Sequence, residues 1–147
     1  MTPAENERAL TDAFSIIPDP HERLAAIVSS CGGPGIPDVE RREDDLVPGC
    51  VSRVWLTASV ENGVLQLRWD ADSPLVKGLT GLICRISFGS IPKEAAVHET
   101  AILINLHLDR QLSPTRLNGL DNVARRIRLL AAGAGLQAAA IPARQSR

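Results

Sequence analysis

Hydrophobic and polar residues alternate on both sides of the pair Asn62-Gly63. An Asn-Gly pair suits the two positive φ angles of a type I′ turn, so the pattern predicts an antiparallel β-hairpin over Arg53–Asp70. In this register Val60 lies opposite Leu65. One face of the hairpin is apolar and must pack on other elements; it carries Val54, Leu56, Ala58, Val60, Leu65, Leu67 and Trp69.

Four other segments repeat their apolar residues at helical spacing. The first covers Glu5 to Ile17, and the others begin near Pro20, Pro74 and Pro114. A proline in the first turn after Asp, Asp-Ser or Ser is typical of a helix start. The order helix, helix, hairpin, helix, helix predicts an α+β fold. We expect a small antiparallel sheet of two or three strands packed against helices.

The chain length fits one domain. At 147 residues and 44% hydrophobic content the chain can bury a substantial core. The residues after 131 are rich in alanine and glycine and end in basic residues. We therefore predict a single domain over residues 1–131 and a flexible tail over 132–147. The charged run Asp38 to Asp45 is interpreted as a solvated connector.

Charge and hydropathy exclude several classes of function. The formal net charge of −1 lacks the excess of cations that non-specific nucleic-acid binding requires. No apolar run approaches the ~20 residues of a membrane-spanning helix. The first residues lack the pattern of an export signal. We expect a cytoplasmic protein that binds neither nucleic acid nor membrane.

The three cysteines lie in different contexts. An odd number of cysteines is a poor disulfide framework, and without paired Cys or His spacing no metal site is predicted. Cys84 lies in an apolar helix stripe and Cys31 at a helix end, where packing is the simpler interpretation. Cys50 follows Pro48-Gly49 in a tight loop that leads directly into a strand. A thiol on such a loop is the candidate reactive group.

Three motifs in the same order resemble those of the SufE family, the sulfur acceptors of iron–sulfur cluster assembly. VPGCVSRVWL (47–56) is similar to the family's V-x-G-C-Q-S-x-V-W loop. DADSPLVKGL (70–79) is similar to D-S-D-x-x-I-V-K-G-L, and LSPTRLNGL (112–120) to L-S-P-S-R-x-N-G-L. The resemblance extends over most of the chain, from about residue 14 to residue 127.

The resemblance implies that Cys50 accepts sulfane sulfur from a pyridoxal-phosphate-dependent cysteine desulfurase of the SufS type. The protein would stimulate that enzyme and pass the sulfur to an iron–sulfur scaffold. It would be a carrier with a covalent persulfide, not itself an enzyme, and it would need no metal or cofactor. The same motifs imply supporting positions, which are Gly49, Ser52, Asp72, Lys77 and Arg116.

The supporting positions also have simpler interpretations. Asp72 can cap a helix, Lys77 can be a solvated charge, and Arg116 can belong to the surface of the last helix. The sequence departs from the family pattern at three positions: Val51 replaces Gln, Ala71 replaces Ser, and Gln111 replaces His. Val51 lies next to Cys50, and its replacement of Gln is expected to affect the choice of partner more than the sulfur transfer itself.

Three other functions stay open at this point. A cluster scaffold of the IscU type would use all three cysteines as ligands. A dedicated sulfur donor for a thio-cofactor or natural-product pathway would use the same chemistry at Cys50. A pure interaction module would need no reactive thiol at all.

Overall fold

The computed structural model describes residues 1–145, with side chains through residue 136. Six α-helices and one two-stranded antiparallel sheet follow the predicted order, which confirms the α+β class. The helices are α1 (Pro3–Ser15), α2 (Pro20–Cys31), α3 (Pro74–Ser87), α4 (Pro92–Ala95), α5 (Ile102–Asn105) and α6 (Pro114–Gln145); the strands are β1 (Val54–Glu61) and β2 (Val64–Ala71).

The helix starts have the caps expected of their sequence. Asp19 accepts a hydrogen bond from the Glu22 amide at the start of α2, and Ser113 accepts one from the Arg116 amide at the start of α6. At α3 the cap is Ser73, whose side chain accepts from the Val76 amide. The interpretation of Asp72 as the cap is therefore wrong, because the residue directly before Pro74 has the capping geometry.

The hairpin forms in the predicted register. Asn62 and Gly63 both have positive φ, at 54° and 79°, as a type I′ turn requires. Val60 pairs with Leu65, Ala58 with Leu67 and Leu56 with Trp69. A third strand is reduced to a single bridge between Leu46 and Trp55 on the outer side of β1. The sheet therefore has two strands, the smaller of the two numbers that we predicted.

The apolar face of the hairpin packs on α3 and α6. Helix α3 in turn crosses α2 at very short distance, because the crossing points on α3 are glycines. A Cβ atom at Gly78 would lie 2.6 Å from the Val28 Cα, and one at Gly81 would overlap the Cys31 carbonyl oxygen. The close crossing fixes α2 and the loop after it against the sheet.

Helix α6 is longer than predicted. It continues through residue 131 as far as Gln145 and so includes most of the segment that we predicted to be a tail. Residues 146–147 of that segment lie outside the described residues, and the domain boundary at residue 131 stays a prediction. No helix in the described part of the chain has the length and apolar character to cross a membrane.

Candidate functional site around Cys50

The Cys50 loop lies at the open end of the hairpin, opposite the Asn62–Gly63 turn. Its base is closed by a hydrogen bond from the Val47 amide to the Val54 carbonyl, 2.8 Å long. Gly49 has φ +80°, a conformation that side chains rarely adopt, so glycine is required for the bend before Cys50. The sharp bend directs the thiol toward α6.

Trp55 anchors the strand end of this loop. Its side chain is buried, and the guanidinium groups of Arg41 and Arg53 lie 4.5 Å and 5.2 Å from the centre of its ring. Such cation–π contacts each contribute about 0.5–2 kcal/mol. The charged run that contains Arg41 is thus partly a packing element and not only a solvated connector.

One face of α6 holds the Cys50 loop through three contacts. The Cys50 thiol donates to the Gly119 carbonyl (Sγ–O 3.4 Å), and the Asn122 amide donates to the Gly49 carbonyl (3.2 Å). Arg126 donates to the Asp44 carbonyl at 3.5 Å. The three α6 residues are spaced by three and four positions, which places them on one side of the helix. Asn122 and Arg126 were not predicted, because their partners lie more than seventy residues away.

Cys50 opens into a pocket of about 410 Å³ between the loop, α3 and the start of α6. Its apolar part is formed by Val54, Val76, Leu79, Leu120 and Val123. Polar side chains complete the lining, namely Ser52, Ser113, Thr115 and Arg116. The pocket thus offers an apolar space beside the sulfur atom and a guanidinium among its lining groups.

Burial raises the pKa of the Cys50 thiol above its ordinary value of 9.0. In this arrangement the sulfur is half-buried and donates to a carbonyl, which also favours the neutral thiol. Arg116 is exposed and lines the same pocket, so a cation lies in the vicinity. The resting geometry therefore holds Cys50 as a sheltered thiol and not as a thiolate.

Cys31 and Cys84 differ from Cys50 in their access to solvent. Both are free and buried, with exposed fractions of 2% and 0%. Burial raises the pKa of both thiols, most strongly for Cys84. Within residues 1–136, no group of three or more His, Cys, Asp or Glu side chains is placed to hold a metal ion.

Two predicted supporting residues lie outside the Cys50 pocket. Lys77 forms an ion pair with the buried Asp70 (Nζ–O 3.7 Å), which also accepts from Arg41 at 2.9 Å and from the Ile36 amide at 2.7 Å. Burial alone would raise the pKa of Asp70, but these hydrogen bonds and cations outweigh it and lower the pKa. Asp72 is exposed. Asp70 of β2 thus joins the loop after α2 and Lys77 of α3 at one buried carboxylate.

The remaining predicted positions are brought together. Ser52 and Arg116 share the pocket with Cys50, and Gly49 shapes the loop. Val51, where the family has Gln, leaves its side chain 83% exposed beside the nucleophile candidate. An apolar side chain at the mouth of a pocket is suited to contact with another protein surface.

A sequence model of the family described as "SufE: Fe-S metabolism associated domain" matches residues 8–131 of this chain. The chain belongs to the SufE family. The three motifs of the sequence lie within the matched segment, and all three contribute residues to the pocket that includes Cys50. By its description, the family is associated with iron–sulfur metabolism.

Curated relatives carry the same family name. An uncharacterized SufE-like protein of Rhizobium meliloti is 28% identical over 130 residues, which cover 84% of this chain and 93% of the relative. An uncharacterized SufE-like protein of Rhizobium etli is 28% identical over 127 residues, which cover 81% of this chain and 84% of the relative. One from Synechocystis is 36% identical over 77 residues, about half of each chain.

A solved structure shares the fold. The solution structure of a hypothetical protein from Thermus thermophilus superposes with a TM-score of 0.72 at 24% identity. The alignment covers 91% of this chain and 98% of the other. At this identity the likeness supports the architecture of the SufE-family domain and carries no argument about its chemistry.

Proposed function

We propose that this SufE-family protein accepts sulfane sulfur on Cys50 from a SufS-type, pyridoxal-phosphate-dependent cysteine desulfurase. It stimulates that enzyme and delivers the sulfur for iron–sulfur cluster assembly in the cytoplasm. The observation that carries the proposal is the contrast among the thiols: Cys50 opens into a pocket, whereas Cys31 and Cys84 are buried. Family membership supplies the link to iron–sulfur metabolism.

The chemistry is exchange at sulfur. The Cys50 thiolate attacks the terminal sulfur of the persulfide on the desulfurase, a new S–S bond forms, and the old S–S bond breaks. The desulfurase cysteine leaves as a thiolate and takes up a proton equivalent to the one that Cys50 lost. No external oxidant or reductant is needed, because the sulfane sulfur moves without a net change in oxidation state.

The resting geometry limits this reaction. Because burial raises the pKa of the Cys50 thiol, the resting loop holds little of it as the reactive thiolate at pH 7. Attack on a persulfide in another protein also requires the sulfur to leave the Gly119 carbonyl. We therefore expect the loop to release its contacts with α6 when the partner binds, which exposes the thiol and removes the burial that raises its pKa.

Arg116 has a proposed role in the loaded state. A persulfide is more acidic than a thiol and is an anion at neutral pH, so it requires stabilisation that the apolar floor of the pocket cannot give. The Arg116 guanidinium lines the same pocket and is the charged side chain of its lining among the described residues. It supplies a positive charge near the terminal sulfur.

Burial of two thiols argues against the scaffold function. Cluster ligation needs several thiolates that can reach one metal centre, and Cys31 and Cys84 are buried in the core. A scaffold would become coloured on reconstitution with iron and sulfide, whereas a sulfur carrier stays colourless. A dedicated donor for another thio-cofactor uses the same step at Cys50 and differs only in the acceptor.

Desulfurase turnover tests the proposal. Alanine release from cysteine by a SufS-type enzyme is measured with the wild-type protein and with the Cys50→Ser variant. We expect the wild-type protein to raise the turnover and the variant to have no effect, while Cys84→Ser retains the stimulation. Equal stimulation by wild type and Cys50→Ser would contradict the proposal.

A further inference from the structure

Trp55 and Asp70 form a cross-strand pair at the open end of the hairpin. Both side chains are buried, with exposed fractions of 4% and 6%. Because side chains alternate along a strand, this pair lies on the opposite face of the sheet from Val54. The segment after α2 covers the pair, since the buried Ile36 donates its amide to the Asp70 carboxylate at 2.7 Å. The outer face of the sheet is thus closed at the same end from which the Cys50 loop projects.

Arg41 joins the two members of this pair, and we call Arg41, Asp70 and Trp55 the Arg41 clamp. The Arg41 Nη2 donates to the Asp70 carboxylate at 2.9 Å, and the guanidinium carbon lies 4.5 Å from the centre of the Trp55 ring. The other two nitrogens are also engaged, because Nε donates to the Ile36 carbonyl (2.9 Å) and Nη1 pairs with Asp38 (2.9 Å). A planar guanidinium that covers a ring and donates along its edges has a fixed orientation, which an ammonium group cannot reproduce.

Trp55 contacts the chain at both ends of the Cys50 loop. Its neighbour Val54 closes the base of the loop by accepting a hydrogen bond from the Val47 amide (2.8 Å). Trp55 itself forms a β-bridge to Leu46, where the chain enters the loop. The ring under the guanidinium therefore belongs to the residue that fixes where the chain enters the loop and where it leaves.

The base of the loop matters most when the tip is released. In the proposed transfer the Cys50 sulfur leaves the Gly119 carbonyl, and the tip loses its hydrogen bond from Asn122. The loop is then held at its base, which sets the direction in which the thiol is presented. A displacement of about 1 Å at a reacting atom can lower a rate about 100-fold. Efficient transfer therefore requires a base that stays rigid while the tip moves.

We propose that Arg41 is a positioning residue for sulfur transfer, which acts through Trp55 by holding the base of the Cys50 loop rigid. This inference rests on the proposed function, because it concerns the delivery of the Cys50 thiol to the desulfurase. Arg41 lies outside the Cys50 pocket. The Arg41 clamp acts after the two proteins have bound, so it raises the maximal turnover and leaves the half-saturating concentration unchanged.

Arg41→Lys tests the proposal, because lysine keeps a positive charge beside Asp70 but cannot also cover the Trp55 ring. The matched control is Arg42→Lys, whose native side chain is 71% exposed and pairs with the exposed Asp44. Alanine release by a SufS-type desulfurase is measured over a range of concentrations of each protein. We expect Arg41→Lys to lower the maximal stimulation about tenfold at an unchanged half-saturating concentration, and Arg42→Lys to match the wild-type protein in both quantities.

The two kinetic quantities separate positioning from damage to the fold. A merely structural role would reduce the fraction of folded protein, which raises the half-saturating concentration and leaves the maximal stimulation unchanged. Asp70→Asn keeps the shape of its side chain but removes the charge that holds the guanidinium, so it should lower the maximal stimulation as well. The double variant should be no worse than the stronger single variant, because both changes act on one clamp.

Three results would each overturn the proposal: equal maximal stimulation by Arg41→Lys and the wild-type protein, an equal loss in Arg42→Lys, or a change in the half-saturating concentration alone. Full additivity of Arg41→Lys and Asp70→Asn would also overturn it, because the two residues would then act separately. The proposed function fails in a different way, since equal stimulation by the wild-type protein and Cys50→Ser contradicts it whatever Arg41→Lys does.

Discussion

Replacing Asn122 by alanine removes the side-chain amide that holds the Cys50 loop against α6. In the folded protein this amide donates to the Gly49 carbonyl at 3.2 Å. It also packs so closely on Gly49 that a Cβ atom there would overlap it. The second contact of the loop tip is the thiol hydrogen bond of Cys50 to Gly119, and sulfur is a weak donor. Asn122 therefore supplies most of the polar attachment at the loop tip.

The magnitude follows from the loss of one hydrogen bond. A net contribution of about 0.5–1.5 kcal/mol changes the equilibrium between held and released loop by about 2- to 12-fold. When opening and closing are fast relative to modification, the rate of modification follows the population of the open state. We therefore expect Cys50 in Asn122→Ala to react with iodoacetamide about 2- to 12-fold faster than in the wild-type protein at pH 7.

Intact-mass spectrometry of the alkylation time course measures this rate, and peptide mapping assigns it to Cys50. The matched control is Asn118→Ala, which removes an exposed asparagine one helical turn earlier on α6. Among the described residues the Asn118 side chain makes no hydrogen bond to the Cys50 loop, so its variant should react at the wild-type rate. An unchanged rate in Asn122→Ala, or an equal rise in both variants, would refute the view that Asn122 holds the loop.

Two further predictions concern the framework that carries the loop. Gly81→Ala should lower the free energy of unfolding by about 1–3 kcal/mol, as measured by chemical denaturation, because its Cβ would overlap the Cys31 carbonyl. The control is Gly133→Ala, which has open space around the new methyl group and should not lower the stability. An equal loss of stability in both variants would contradict the close crossing of α2 and α3. The pKa of Asp70 in the folded protein lies below 3.8, its value in the unfolded chain. The ionised carboxylate therefore stabilises the folded state fully above that pH, and this contribution is lost as the pH falls through the folded pKa. Asp70→Asn should therefore lower the free energy of unfolding by about 1–3 kcal/mol at pH 7. The difference in stability between the variant and the wild-type protein should become smaller below pH 3.8. A difference that is constant with pH would show that the charge of the carboxylate does not contribute.

Local sequence signals predicted the framework because the interactions behind them are local. The Asn62–Gly63 turn determines the register, and the alternation of apolar residues independently requires the same register. The helix starts were predicted for the same reason, since a cap and its amide lie three residues apart. At α3 the two candidate caps were adjacent, and only the backbone geometry decided for Ser73.

The site was predicted only in part, because it is built from distant contacts. Cys50 could be found from its Pro-Gly loop and from the motif around it. Asn122 and Arg126 could not, since nothing local to α6 indicates that they face a loop more than seventy residues away. Lys77 was assigned to the site by its motif, but its partner is the buried Asp70, so the ion pair joins α3 to β2 outside the Cys50 pocket.

The most direct test of sulfur transfer is the mass of each cysteine-containing peptide after incubation with a SufS-type desulfurase, pyridoxal phosphate and cysteine. The account predicts an addition of about 32 Da on the Cys50 peptide that reducing agent removes. It also predicts no addition on the peptides of Cys31 and Cys84, and none anywhere in Cys50→Ser. Sulfur found on Cys31 or Cys84 while Cys50 stays unmodified would contradict it.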